Sequence, residues 1–398
     1  MDLDFGHGFV PRIASQNYKA VDRCLGPDTL LDAPLDLPWA IVDAPWAEKN
    51  QDFLASLRAH GTKVLLDGSC WRYRYGPTFD VGTMAKASWA SPGPLTADAP
   101  GELARFVRDS LRAQAKLEAS AYLVPGFMPD DKQEDLRGAY ETIVTAVGEF
   151  NEVPPKPLVL FVGAHSKGLS AAQALLDDLP SFLSGLYLQV TPTNPVIDSP
   201  TKLQKISELY LYARSLGLAV IGGHAGAVTP ALRACGIDAA DAGLASGETF
   251  ESSSARQPKP PKDPETERSG GPSSRMYLEA LGRSFDAKRV TELRSVAAVR
   301  DLVGSCRLPC HRFVGGDDFL ARAKEHSLRA RVAEAKAISA LPSSMRLTEM
   351  IQLVIRRRST VTAVNAALKQ AGISPLDTRA VDNHLNWLGR LAESHSAA

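Results

Sequence analysis

The chain has 398 residues, 44% of them hydrophobic and 23% charged, and its 45 Lys and Arg balance its 45 Asp and Glu. That length exceeds a minimal domain and leaves room for a barrel with appendages, while the zero formal charge excludes a strong overall basic field, so a nucleic acid would be held by local patches. The N-terminus MDLDFGHGF lacks the basic and apolar regions of a signal peptide, no apolar run approaches the ~20 residues of a membrane span, and the five cysteines are scattered except Cys306 and Cys310; together these predict a cytoplasmic protein without a membrane segment.

In chain order, short apolar segments ending in Asp, Gly or His alternate with helix-like stretches. WAIVDAP ends at Asp43 and is followed by a helix, AEKNQDFLASLRAHG, with Gly61 as its C-terminal cap. TKVLLDG ends at Asp67 and leads into a long loop carrying Trp71, Arg72, Tyr73, Arg74, Tyr75, Phe79 and Trp89. A loop of that length in a compact protein is usually functional. A helix over 100–118 precedes the strand AYLVPGF, and a helix near 136–150 precedes PLVLFVGAH, which ends at His165. GLSAAQALLDDL reads as helix and GLYLQVTPTN as strand. The helix over 201–216 has good 3.6-residue periodicity and leads to LAVIGGHAG, a short helix at 228–234, and IDAADAG. These are seven strand candidates in alternation, and SRMYLEALGRSF offers an eighth.

This pattern predicts an α/β TIM (β/α)₈ barrel over residues 1–300, with catalytic groups at the strand ends. Residues 251–274, dominated by Ser, Pro, Lys and Gly, read as a flexible insertion before strand eight. Residues 301–340 hold Cys306, Cys310, His311 and His326, a set that could build a tetrahedral N/S zinc site or stay as metal-free thiols. Residues 341–398 read as three short helices, TEMIQLVIRRR, VTAVNAALKQAG and DTRAVDNHLNWLGRL. They form a helix-turn-helix-like appendage suited to nucleic-acid binding, to packing or to a dimer surface.

Two segments carry a resemblance. LLDGSCWRYRYG and VIGGHAGAVTPALRACGIDAADAG resemble the aspartate-bearing segment and the strand, Gly-rich turn, helix and Gly-Ile-Asp segment of the tRNA-guanine transglycosylase superfamily. The similarity covers roughly residues 40–330 and rests on element order and short motifs. Its DNA-modifying branch, which inserts 7-deazaguanines into DNA, diverges in a similar way. The resemblance implies that Asp67 is the base-recognising, proton-handling carboxylate and Asp241 the nucleophile that forms a covalent aspartyl-sugar intermediate. It also implies a zinc ion after the barrel, here with Cys306, Cys310, His311 and His326. Two departures stand out. Pro125 and Gly126 lie where the family has a second guanine-reading Asp, and Gly163, Ala164 and His165 replace its Gln-Gly-Gly turn.

The chemistry agrees with that pair of carboxylates. Base exchange passes through an oxocarbenium-like transition state, which one carboxylate can trap covalently while another handles the proton of the base. The target nucleotide must be flipped from its stack, at a cost of roughly a few kcal/mol. Trp71 and Tyr73 could sandwich the base and Arg72 could hold a phosphate, or the aromatic loop could simply cover the barrel mouth. Asp43, His165, Gly222, Gly223, His224 and Asp238 complete the expected substrate-binding set, with Asp238 as the rival nucleophile. The expected partners are a nucleic acid, DNA or tRNA, a 7-deazaguanine base, and a second copy or another subunit. Two other classes remain open. One is a metal-dependent barrel hydrolase using His165, His224, Asp43 and Asp241. The other is a non-catalytic nucleic-acid-binding subunit.

Overall fold

The computed structural model describes residues 3–26, 34–75, 87–91, 93–130, 134–244, 250–252, 275–303 and 322–397. Eight parallel strands alternate with helices. They are β1 (Phe9–Ile13), β2 (Trp39–Asp43), β3 (Lys63–Asp67), β4 (Tyr122–Val124), β5 (Leu158–His165), β6 (Gly185–Thr191), β7 (Ala219–Gly222) and β8 (Ala239–Gly243). The hydrogen-bonded order runs β3-β2-β1-β8-β7-β6-β5-β4. The two ends of that order meet through one residue. Ser120, just ahead of β4, donates its backbone N–H to Val64 O at 2.8 Å and accepts from Val64 N at 2.9 Å through its hydroxyl. The sheet is thereby drawn into a nearly closed (β/α)₈ barrel, as expected for strands joined by helical crossovers.

Alternation along each strand divides the side chains between two cores. Ile41, Leu65, Leu123, Phe161, Tyr187, Ile221 and Ala239 fill the barrel interior, while Val42, Leu66, Val124, Val162, Leu188 and Val220 face the helices. The same parity carries upward. Arg12 follows Val10, Asp43 follows Ile41, Asp67 follows Leu65, and Asp241 follows Ala239, so four charged residues continue the interior rows toward the C-terminal face, Asp43 and Asp67 as the last residues of their strands.

The first barrel strand is one that the sequence pattern did not suggest. FVPRI carries Pro11 and Arg12, which are atypical of a central strand, yet β1 lies between β2 and β8. The seven alternating candidates are β2 to β8. The expected eighth strand, SRMYLEALGRSF, lies outside the barrel. It forms an antiparallel hairpin, β9 (Arg275–Leu278) and β10 (Arg283–Asp286), turned at Gly282 with φ +66°. Helix Ala323–Ser339 packs on this hairpin and on the barrel helices Tyr18–Leu25 and Thr229–Ala234. The first two of the three expected C-terminal helices are one 28-residue helix, Ser343–Gln370. No turn separates them, so the helix-turn-helix arrangement is not formed there. Helix Arg379–Ala397 lies against Pro200–Ser215 of the barrel wall. Among the described residues no helix is long and apolar enough to cross a membrane. Most of the expected insertion, residues 253–274, lies outside the described residues, as do Phe79, Cys306, Cys310 and His311.

Candidate active site at the barrel mouth

The site is built around Arg12. Asn17 ties down the chain as it leaves β1, donating to Arg12 O at 2.9 Å and accepting from Ala14 N at 2.7 Å. From that anchored position the guanidinium donates through Nε to Asp241 Oδ2 at 2.9 Å, through Nη1 to Asp67 Oδ2, and through Nη2 to the Tyr187 hydroxyl. Tyr187 in turn donates to Asp241 Oδ2 at 3.1 Å. The His224 backbone N–H donates to Asp241 Oδ1, and Ser69 N–H donates to Asp67 Oδ1 at 2.6 Å. Asp67 and Asp241, on strands three and eight, are thus brought to a single cation.

Burial differs among these groups. The Asp241 side chain is 0% exposed, that of Asp67 is 6% exposed, and that of Arg12 is 19% exposed. Arg12 is the member of the trio that reaches solvent. Burial alone would raise the Asp67 carboxyl, but the Arg12 charge, its hydrogen bond and the Ser69 N–H overcome that and hold it below the usual range. Asp43 is pushed the other way, first by burial and then by the neighbouring Asp67 charge. Burial also holds the His224 imidazole down at about 4, against the attraction of Asp241. The Tyr187 hydroxyl is driven well up by burial and stays a donor.

His224 has φ +51°, the left-handed region, because its N–H must turn inward to Asp241. Its ring stacks on Phe250 at 4.8 Å. Phe250 packs edge-on against Trp71 at 5.6 Å, and Arg72 lies over the Trp71 ring at 5.2 Å. Phe250 is held by backbone hydrogen bonds of 2.8 Å in both directions with Thr193. Trp71 and Phe250 therefore roof the interior. Among the described residues Gln189 Nε2 and His224 Nδ1 are buried without a hydrogen-bond partner, a condition that calls for an explanation in a packed interior.

The other expected site residues fall elsewhere. Tyr73 packs with Phe106 at 5.1 Å and with Trp89 at 6.4 Å, in the core beneath helix Pro100–Lys116; it does not roof the mouth. Asp238 sits before β8, at the opposite end of the strand from Asp241. There it binds Arg214 at 3.0 Å and caps Val220 N at 3.0 Å, so it cannot replace Asp241 at the mouth. A Cβ on Gly222 would meet Tyr210 and Leu232 on the helix side, whereas one on Gly223 would press on Leu188 O, Gln189 and Tyr187 at 3.1–3.2 Å. Both glycines serve close packing. His165 accepts from Lys167 N at 3.2 Å and lines a separate cleft of about 290 Å³ with Pro129, Arg137 and Gly168.

Among the described residues no group of three His, Cys, Asp or Glu is placed to hold a metal ion, and at the mouth the space between Asp67 and Asp241 is taken by the Arg12 cation. His326 is buried, with Nε2 donating to Tyr277 O at 3.0 Å and Nδ1 without a partner among the described residues. Its expected co-ligands Cys306, Cys310 and His311 lie outside the described residues. The residues that sequence reasoning missed are Arg12, Tyr187, Gln189 and Phe250. For Tyr187 and Gln189 the signal was available in the parity of GLYLQVT, which places both on one face.

No protein-family model and no curated protein matches the sequence. Solved structures similar to the chain include the carboxyl transferase domain from Rhizobium etli pyruvate carboxylase with pyruvate and biocytin, at 12% identity and a TM-score of 0.36, covering 97% of this chain and 61% of that one. Another is a complete multifunctional pyruvate carboxylase from Rhizobium etli, at 12% identity and a TM-score of 0.33, covering 96% of this chain and 34% of that one. The chain thus spans less than two thirds of the length of either. At this identity and score neither says what the mouth of this chain does.

Proposed function

We propose that the barrel mouth exchanges a guanine-type base in a nucleic acid for a 7-deazaguanine, through a covalent intermediate on Asp241. The observation that carries this reading is the convergence of Asp67 and Asp241 on Arg12 at the C-terminal face. A retaining exchange needs one carboxylate to attack C1′ and another group close by to serve the base. Asp67 orients the base, and Gln189 Nε2, which has no hydrogen-bond partner among the described residues, offers it a further polar contact. Trp71 and Phe250 supply flat apolar surface for a flipped base, and Arg72 over Trp71 supplies positive charge for its phosphate.

Asp241 must become accessible for this to work. Oδ2 is engaged by Arg12 and Tyr187 and Oδ1 by the His224 N–H. Arg12 is the least buried member of the trio, so substrate entry displaces its Nε and opens one approach to Oδ2, which keeps the Tyr187 hydroxyl bond, while the sugar cation takes over the neutralising role. A structural zinc would take His326 through Nδ1 together with Cys306, Cys310 and His311, and elemental analysis of the purified protein checks it. Its absence would leave the base-exchange reading standing.

The full burial of Asp241 favours one rival, a barrel that no longer turns over and serves as a nucleic-acid-binding subunit. Mass spectrometry of nucleosides from digested DNA and tRNA, from cells with and without the protein, separates the two. Base exchange predicts a 7-deazaguanine nucleoside that disappears with the protein; identical nucleoside profiles would reject it.

A further inference from the structure

The register of β2 and β3 sets Asp43 opposite Asp67 as the last residue of each strand. Neighbouring strands lie about 4.8 Å apart, and both residues continue the inward rows of Ile41 and Leu65. Two carboxyl groups therefore leave the barrel side by side. Their partners differ. Asp67 takes Arg12 Nη1 and the Ser69 N–H, whereas Asp43 makes no hydrogen bond to a described side chain. The charged groups facing Asp43 are Asp67 on β3, Arg12 on β1 and Arg72 on the turn after β3, with the Trp46 backbone N–H beside it. Arg12 spends its hydrogen bonds on Asp67 and Asp241.

We propose that Asp43 is the general acid–base of the mouth, set beside the Asp67–Arg12 pair at the ends of two neighbouring strands, passing a proton to the departing base and recovering it from the incoming one. Burial and the Asp67 charge favour the protonated form of Asp43, while Arg12 favours the ionised form of Asp67. Driving two neighbouring carboxyl groups apart in this way is how acid and base roles are divided within one site. The assignment rests on the base-exchange reading and refines it: Asp67 orients and Asp43 moves the proton. In the first half, an Asp241 oxygen bonds to C1′ as the C1′–N bond breaks. The electron pair stays on the base nitrogen, which takes the Asp43 proton. In the second half, the incoming base nitrogen bonds to C1′ and the C1′–O bond returns its pair to Asp241. The N–H proton goes back to the Asp43 carboxylate, and no other reactant is consumed.

Infrared titration of the full chain and a labelled-base exchange assay test the two parts separately. The wild type should show a carboxylic-acid carbonyl stretch at pH values above the ordinary Asp range. Asp43→Asn should lose it, Asp43→Glu should keep it, and Asp67→Asn should keep it with a lower titration midpoint. Asp43→Asn should also slow exchange by about 10²–10⁴-fold, with a smaller loss for a leaving base that departs without protonation. A band that persists in Asp43→Asn, or exchange at the wild-type rate in that variant, would overturn the assignment. A band that behaves as described, in a wild type that exchanges no base, would overturn the base-exchange reading and leave the proton where it is placed here.

Discussion

Two buried ionic networks in this molecule differ in a telling way. In the C-terminal unit, Arg357 pairs with Glu334 at 2.6 Å, donates to the Tyr277 hydroxyl at 3.1 Å and to Glu279 O at 3.1 Å, and Tyr277 donates to Glu334 at 2.6 Å. Arg357 pairs with one buried carboxylate, Glu334, with Glu279 nearby and Arg331 over the Tyr277 ring at 4.2 Å, and the network ties β9 to helices Ala323–Ser339 and Ser343–Gln370. At the barrel mouth one cation meets Asp67 and Asp241, with Asp43 beside them. The first network closes on a single carboxylate. The second gathers three carboxyl groups around Arg12, with Arg72 at their edge, beneath an aromatic roof. A network closed on one carboxylate serves cohesion, whereas several carboxyl groups gathered at a barrel's C-terminal face are suited to chemistry.

The comparison can be broken most severely at Glu334. Glu334→Gln strands the Arg357 charge in the interior and should cost about 3–5 kcal/mol by urea unfolding. A loss below about 1 kcal/mol would mean that this network is not structural. Arg12→Gln should cost less at neutral pH, because the mouth can take up protons, and it should reverse the sign of a pH dependence. In the wild type Asp67 is held low, so its contribution is present above the unfolded value near 4 and is lost as pH falls below it. Without Arg12, burial and mutual repulsion raise Asp43 and Asp67, so the variant should gain stability as pH falls from neutral towards the ordinary Asp range. Parallel pH profiles for the two proteins would contradict the role given to Arg12.

Two histidines give a smaller effect. His7 and His224 are both held at about 4 by burial. The unfolded chain binds those protons near 6.5, so this stability is full above 6.5 and is lost as pH falls towards 4, at most roughly 3 kcal/mol each. His224→Asn tolerates the left-handed backbone and should lose less stability than wild type between pH 7 and pH 4.5. Equal losses would show that His224 is not a buried neutral group. Smallest of all, Asp238→Asn should change stability by about 0.5 kcal/mol or less, since its Arg214 partner is half exposed, and should leave base exchange intact.

The sequence displayed most of this frame. β2 to β8 were legible because each apolar run ends in a turn residue and is followed by a helix. β1 was not, because Pro11 and Arg12 argue against a buried strand, and Arg12 is there for the carboxylates of distant strands. The hairpin Arg275–Asp286 imitated an eighth barrel strand because a short apolar run does not reveal its pairing partner. The two C-terminal helices merged because no Gly or Pro lies between Ser343 and Gln370. Asp67, Asp241 and Asp43 were legible as strand ends. Tyr187 and Gln189 share one face of β6 by parity, but because β6 is buried on both faces that parity does not say which face is the inward one.

The most direct measurement is intact-protein mass spectrometry after incubation with an oligonucleotide substrate and denaturing quench, followed by peptide mapping. The account predicts a covalent nucleic-acid adduct on the peptide bearing Asp241, absent from Asp241→Asn although that variant still binds the oligonucleotide. An adduct of equal yield in Asp241→Asn, or one mapped to a different residue, would contradict it.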